Sequence, residues 1–452
     1  MTELLDVAAN VVGYTLGRGE QLEAYVVHRV STAIQVDTHA TVRQVSVAEV
    51  RGVGVRVIQD ERLGYASTSD LDQAALKLTV ERARANAAAT DRDVAQVLPD
   101  AHAGDSIQPA EGLSHVELQQ ASLSGKVDLV VDLARRVVAL DPRVPAIDTA
   151  GYYDEMKSVA VASTRGVSSM YQSGYLEIWS DALGEDRHGK AVDDAYQIER
   201  SPNDCNVEQI AANAVERTVN LLGRPVSPPD SVRVIFDPAV VADLLHAVGK
   251  GLSGGAISSG RSPFASKTGT TIAPPWLQLD DDGTSPLSSA AAAFDDEGLP
   301  RRRTRLVKDG VLVGAMHSTV TARAVGDGAA ATGNARRSSH KSVPKAAPNC
   351  LVLQPTRTRE DILSGGGRAI YIQQLTGAGA GINSVTGRID VGGVGWLLED
   401  GQNVGPISTV AISTSLPAFL QSIRAIGDDT YQSASAPAAV STVECGSELL
   451  NA

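Results

Sequence analysis

The chain has 452 residues, 43% of them hydrophobic and only 4% aromatic, so its cores must be built from Ala, Val, Leu and Ile rather than from rings. A formal net charge of −13 argues against nucleic acid as a partner, because holding phosphates requires a basic surface. No apolar run approaches the roughly 18 residues of a membrane span, and the 3 cysteines (Cys205, Cys350, Cys445) are too scattered for a disulfide framework. The N-terminus has no basic start ahead of its apolar residues, so the expectation is a cytoplasmic protein with no membrane partner.

Leu4, Leu5, Ala8, Val11, Val12 and Leu16 recur at helical spacing behind Thr2, which can cap a helix that Gly17 and Gly19 end. Strand-like text follows in "LEAYVVHRVSTAIQVD", "TVRQVSVAEV" and "GVGVRVIQDERLGYAS", the last alternating at Val53, Val55 and Val57. A second helix starts at Ser69 or Asp70. Two helices around a run of strands predict an α+β unit with a mostly antiparallel sheet. A third helix, "KVDLVVDLARRVVAL", precedes the strands "SVAVAST" and "SSMYQSGYLEIWSD". Asn206, with Gln209 three positions on, has the capping pattern of a fourth helix that Gly223 ends.

The stretch "GRPVSPPDS" (Gly223–Ser231) is the clearest boundary, because its prolines neither continue a helix nor fit a central strand. It divides an N-terminal α+β domain (1–222) from a C-terminal domain (232–452), with 223–231 as linker. Beyond it turns dominate. Asp309-Gly310 and Asp400-Gly401 each suit a type I′ turn between apolar strands, which predicts a mainly antiparallel β domain.

Near the start of that second half lies "DPAVVADLLHAVGKGLSGGAISSG". Asp237 can cap a helix, Pro238 suits its first position, and Val240, Val241, Leu244, Leu245 and Val248 form an apolar stripe. His246 and Lys250 share a face, as surface or partly packed residues commonly do. The "LTGAGAGINSVTG" segment does not open a helix, so it does not read as a phosphate loop. Its glycines read instead as places of close backbone approach. Such approach is also what an extended peptide needs when it adds to a sheet edge, which makes Gly377, Gly379, Gly381, Gly392 and Gly393 candidate peptide-binding positions. Lys267-Thr268-Gly269 and "SSHK" (Ser338–Lys341) occur in the wrong order for a serine acyl-transfer enzyme. The 8 histidines include no pair at zinc spacing with a carboxylate. Arg301, Arg302 and Arg303 read as a solvated face.

Several phrases together carry more than any one of them. In order they are "GVGVRVIQDERLGYASTSDLDQAAL", "SGGAISSGRSPF", "FDDEGLPRRRTRLVKDGVLVG", "ATGNARR", "GAGAGINSVTGRIDVGGVGWLLEDGQNVGPIS", "IRAIGDD" and "CGS". In this order and spacing the chain resembles the TldD/PmbA family over most of its length. The TldD branch of that family has a helix with the motif HExxxH: two histidines and a later cysteine bind zinc, and the glutamate is the general base that completes activation of the zinc-bound water. The TldE (PmbA) branch lacks the motif and pairs with TldD. Matching "AVGKGLSGG" to that helix puts Leu245 at the first histidine, His246 at the glutamate and Lys250 at the second histidine. Gly249 lies between, where a helix distortion would bring residues five apart to one site. Cys445 falls at the third ligand. The resemblance therefore implies a TldE-type subunit without zinc or catalytic residues of its own. Its partner would be a TldD-type metallopeptidase subunit that holds the zinc, in a heterodimer that cleaves unfolded or short precursor peptides. Two alternatives stay open: a stand-alone homodimeric peptidase with an atypical His246/Cys445 site, and a homo-oligomeric peptide-binding protein.

Overall fold

The computed structural model describes residues 2–17, 19–101, 112–113, 116–228, 232–326, 328–433 and 436–450. The expected linker lies partly outside them, at 229–231; its described part runs beside a later strand, Val226 donating its N–H to Pro406 O at 2.8 Å. The architecture is α+β, as expected.

Six strands of the first half make one antiparallel sheet: β1 (Gln21–Val36), β2 (Val42–Gln59), β3 (Arg62–Thr68), β4 (Ala146–Ser163), β5 (Ser168–Asp186) and β6 (Gly189–Glu199), in the order β3-β2-β1-β4-β5-β6. Helices α1 (Thr2–Val12), α2 (Gln73–Ala89), α3 (Val116–Gln120), α4 (Leu123–Leu140) and α5 (Val207–Asn220) accompany it. Asn206 caps α5 by accepting from Gln209 N, and α2 starts later than expected, behind Asp72.

Strand alternation explains the layering. Leu22, Ala24, Val26 and Ile34 of β1 pack with Ala8 and Val11 of α1, Leu76 and Val80 of α2, and Leu133 and Val137 of α4. The intervening Tyr25 and Val27 face the other way and pack on Ala292 and Phe294 of the second half. With both faces covered, the first part of β1 reads as a nearly continuous apolar run.

The second half contributes β7 (Arg233–Phe236), β8 (Leu279–Asp282), β9 (Arg303–Lys308), β10 (Val311–Leu312), β11 (Ala335–Arg336), β12 (Lys345–Ala346), β13 (Leu351–Leu353), β14 (Arg368–Thr376), β15 (Arg388–Glu399), β16 (Gln402–Pro406), β17 (Val410–Ser415), β18 (Ile423–Ile426), β19 (Tyr431–Gln432), β20 (Ala438–Val440) and β21 (Val443–Cys445). One sheet runs β10-β9-β8-β13-β20-β19 and another β16-β15-β14-β7-β21-β18, with β17 also on β15. Only β7/β14 and β13/β20 are parallel neighbours among the described strands. Both Asp-Gly turns have positive φ at each residue, Asp309 at 51° and Gly310 at 74°, Asp400 at 46° and Gly401 at 81°, the signature of type I′.

The arginine triplet departs from its expected solvated face. Arg301 is buried and donates to Ala290 O, whereas Arg302 and Arg303 stay exposed, Arg303 reaching in to pair with the fully buried Asp280. A buried carboxylate requires such a partner.

Charge also joins the halves. Arg56 of β2, 2% exposed, donates to Glu23 of β1 at 2.5 Å and to Glu297 of the second half at 2.9 Å. The other Glu23 oxygen takes Arg337, whose guanidinium lies 4.9 Å from the Tyr25 ring centroid. Replacing one partner of such a set leaves an uncompensated charge in a dry seam. Arg56→Met is expected to lower the unfolding free energy by about 3–5 kcal/mol, read from urea denaturation. A loss below about 1 kcal/mol would mean the seam admits water and behaves as a surface ion pair.

Candidate functional site

The helix carrying the sequence candidates, α6 (Pro238–Gly251), forms for the reasons its sequence supplies. Asp237 caps it, accepting from Ala239 N at 2.9 Å, and Pro238 takes its first turn. The second Asp237 oxygen accepts from Arg217 of α5 and from the Tyr371 hydroxyl of β14, each at 2.8 Å, so the start of α6 is fixed by both halves of the molecule.

Along α6 every residue is buried except Ala239, Asp243, His246 and Lys250. These recur every three or four positions and therefore make one stripe. Leu245 has no exposure and belongs to the central apolar core with Val241, Leu244 and Val248. His246 is half-buried and Lys250 is exposed.

The helix shows no distortion at Gly249; it is regular α-helix to Gly251. Residues five apart then point about 140° away from each other, so Leu245 and Lys250 do not share a face. Gly249 serves packing instead: a side chain there would meet Leu351 and Pro348 at 2.7 Å.

The surroundings of His246 are cationic. Burial lowers its pKa from the ordinary histidine value, and Lys250 and Arg336 lower it further. Arg336 is held on β11, donating to Pro348 O at 2.8 Å. His246 Nδ1 is buried with no hydrogen-bond partner. Sequence reasoning missed Arg336, for which no local signal existed.

Cys445 lies elsewhere in the same core. It is fully buried on β21, paired with Val234 of β7 and Ile423 of β18, and burial pushes its thiol up to about 12. Leu245 offers no donor atom, Lys250 an ammonium, His246 one imidazole among cations, and Cys445 a protonated thiol. This donor set does not fit a zinc site, which takes thiolates, neutral imidazoles and carboxylates. Among the described residues no three His, Cys, Asp or Glu side chains gather in a metal-binding group.

The glycine candidates divide. Gly377, at φ 77°, precedes the short helix Ala378–Gly381, and nothing lies within 4 Å of a side chain placed at Gly377 or Gly379. Gly381 is a close-packing position against the Asp390 backbone. Gly392 and Gly393 sit on β15 between β14 and β17, opposite Thr376 and Leu375 on one side and Ala411 and Val410 on the other. Neither has a free edge, which corrects the expectation of strand addition there. Their missing side chains admit neighbours: a side chain on Gly392 would meet Thr409 at 2.7 Å, and one on Gly393 would meet Ile372 and Ile412 at 3.0 Å.

Comparison with known proteins points one way. Three family models match in succession: PmbA/TldA metallopeptidase domain 1 over 22–87, the central domain over 117–222, and the C-terminal domain over 229–447. The chain is 24% identical over 438 residues to metalloprotease PmbA of Escherichia coli O157:H7, covering 96% of this chain and 92% of that one. It is 25% identical over 391 residues to a metalloprotease TldD homologue of Haemophilus influenzae, covering 84% and 79%. Its fold superposes on TldE from Thermococcus kodakarensis with a TM-score of 0.82 at 20% identity, covering 99% of this chain and 98% of that one. Identity to PmbA and TldD relatives is too similar to separate the branches.

Two outcomes test the site geometry. Lys250→Gln removes one of the charges that disfavour imidazolium, so the His246 titration followed by NMR should move upward; an unchanged titration would place Lys250 outside its surroundings. A depressed imidazole pKa means the unfolded chain takes up the proton first, so this group weakens the fold as pH drops below about 6.5 and contributes nothing above it. Cys445 should resist iodoacetamide at neutral pH in the native protein and react fully in denaturant, read by mass spectrometry.

Proposed function

The chain belongs to the PmbA/TldA metallopeptidase family, and from that premise we propose that it is the TldE-type subunit of a TldD/TldE peptidase complex in the cytoplasm. In this reading it carries neither zinc nor catalytic residues. The zinc, the HExxxH helix and the hydrolytic chemistry belong to a TldD-type partner, and the substrates are unfolded or short precursor peptides.

One observation carries the proposal. At the positions where the resemblance puts two zinc ligands and a general base, this chain has an inward-facing Leu245, a half-buried His246 and an exposed Lys250, with Arg336 close enough to depress the histidine. A divalent cation entering here would meet like charge and too few lone pairs. Water activation needs both the metal and a base whose pKa suits proton abstraction, and the stripe supplies neither.

What remains for this subunit is to bind and enclose. Gly377 and Gly379 leave backbone uncovered by side chains, so an extended peptide can approach main chain to main chain there with little sequence preference.

The test pairs two samples: the chain alone, and the chain mixed with a TldD-type protein carrying HExxxH. Zinc per chain and cleavage of an unstructured peptide are measured in each. The expected result is a chain that is metal-free and inactive alone, and a mixture that co-elutes and cleaves. Stoichiometric zinc with cleavage by the isolated chain would overturn the proposal.

A further inference from the structure

Beside α6 lies a group of basic side chains without counter-charges. Pro348 packs where Gly249 of α6 has no side chain, and its carbonyl accepts from Arg336 Nη1 at 2.8 Å. The β11–β12 hairpin is thereby drawn against the helix, and β12 also touches the short helix Gly254–Ser258 that follows α6. In this hairpin Arg336 and Lys345 are direct cross-strand partners, so both side chains rise from one face. On α6, His246 and Lys250 stand one turn apart on the outer stripe. Beside burial, Lys250 and Arg336 are the charges close enough to act on the His246 imidazole.

Elsewhere this molecule matches its inward-reaching arginines: Arg56 and Arg337 with Glu23, Arg303 and Arg305 with Asp280, Arg217 with Asp193 and Asp237. Among the described residues none of Lys250, Arg336 and Lys345 is in an ion pair. The carboxylates that act on Arg336 are already occupied. Asp281 accepts from Asn334, Asn349 and Cys350 N, and Asp296 accepts from Arg337 N while its other oxygen, though unpaired, is sealed from solvent. Asp243, one turn before His246, is engaged in an interaction of its own. Burial, and then Arg301, hold the Arg336 guanidinium below its ordinary range in spite of Asp296 and Asp281. Like charges set opposite each other on a strand pair repel. In a chain of net charge −13, such an unmatched group leaves a place for an anion from outside.

We infer that Arg336, Lys250 and Lys345, with His246 beside them, bind the C-terminal carboxylate of a short peptide. With Nη1 given to Pro348 O, the Nε and Nη2 edge of Arg336 makes no hydrogen bond among the described residues. That edge is the side-on fork from which a carboxylate accepts two parallel bonds. Lys250 and Lys345 are exposed and add point charges around the fork. The anion class follows from these side chains alone. The choice of a peptide as its carrier rests on the proposed peptide role. A terminus held here selects short or released peptides over internal segments, which carry no free carboxylate.

The test uses the full chain without a TldD-type protein, so it is read whether or not that complex forms. One unstructured short peptide is titrated by calorimetry at low salt in two forms, free acid and C-terminal amide. The free acid should bind about tenfold more tightly or better, and it should shift the His246 ring resonances in NMR where the amide does not. Lys250→Gln combined with Lys345→Gln changes two exposed positions and should bring the two affinities within about threefold of each other. Arg336→Lys keeps the charge but loses the fork, and should also lose most of the preference. Circular dichroism of each variant checks that the fold persists. Equal binding of acid and amide, binding of neither, or an undiminished preference in the double variant would each overturn the inference. So would inorganic phosphate binding as tightly as the free acid, which would make this a phosphate site. Zinc and cleavage found in the isolated chain would instead sink the subunit role and leave a preference for the free acid standing.

Discussion

The two halves of this molecule are held together by buried charge. Glu23 and Arg56 come from neighbouring strands of the N-terminal sheet; Glu297 and Arg337 come from the second half, 241 and 314 residues away from their respective partners in sequence. A carboxylate out of water is tolerated only beside its counter-charge and hydrogen-bond donors. The second half therefore docks where each of these groups finds its partner. Apolar contacts such as Tyr25 and Tyr171 against Phe294 supply the area around this set, but area alone is indifferent to a small slide, whereas an arginine bridging two carboxylates is not.

A second polar seam carries the same constraint to the candidate site. Asp193 of β6 accepts from Gln373 of β14, and Arg217 of α5 reaches both Asp193 and Asp237. Asp237 is in turn the cap of α6. Helix α6 thus starts from a residue shared between halves. Once its start and its apolar stripe are fixed, its rotation is fixed, and only Ala239, Asp243, His246 and Lys250 escape full burial. The protein has spent this helix on structure: Leu245 completes a core, and Gly249 lets Pro348 and Leu351 close over it.

Much of this was legible in the order of residues, and the legible parts share a cause. The Asp-Gly turns, the Asn206 and Asp237 caps, the alternating strand at Val53, Val55 and Val57 and the apolar stripe of α6 are all decided by neighbours within a few positions, where turn chemistry and side-chain period act directly. The resemblance to the TldD/PmbA family likewise rests on short phrases in sequence order. Readings failed where the answer lay across the fold. Gly392 and Gly393 looked like an edge because glycine-rich strand text does not reveal how many neighbours a strand has. Arg301 looked solvated because its partner, Ala290 O, is brought to it by loop packing.

The sequence by itself determined the element types, the α+β class and the absence of a metal-ligating atom at Leu245, since an alkyl side chain cannot acquire a lone pair by folding. Only the tertiary structure decided which charges share a seam, that His246 is pressed by Arg336, and that Cys445 is sealed in a core. Each of these is a distance between residues far apart in the chain. Such distances are set by the joint packing of two sheets and α6, to which no local pattern gives access.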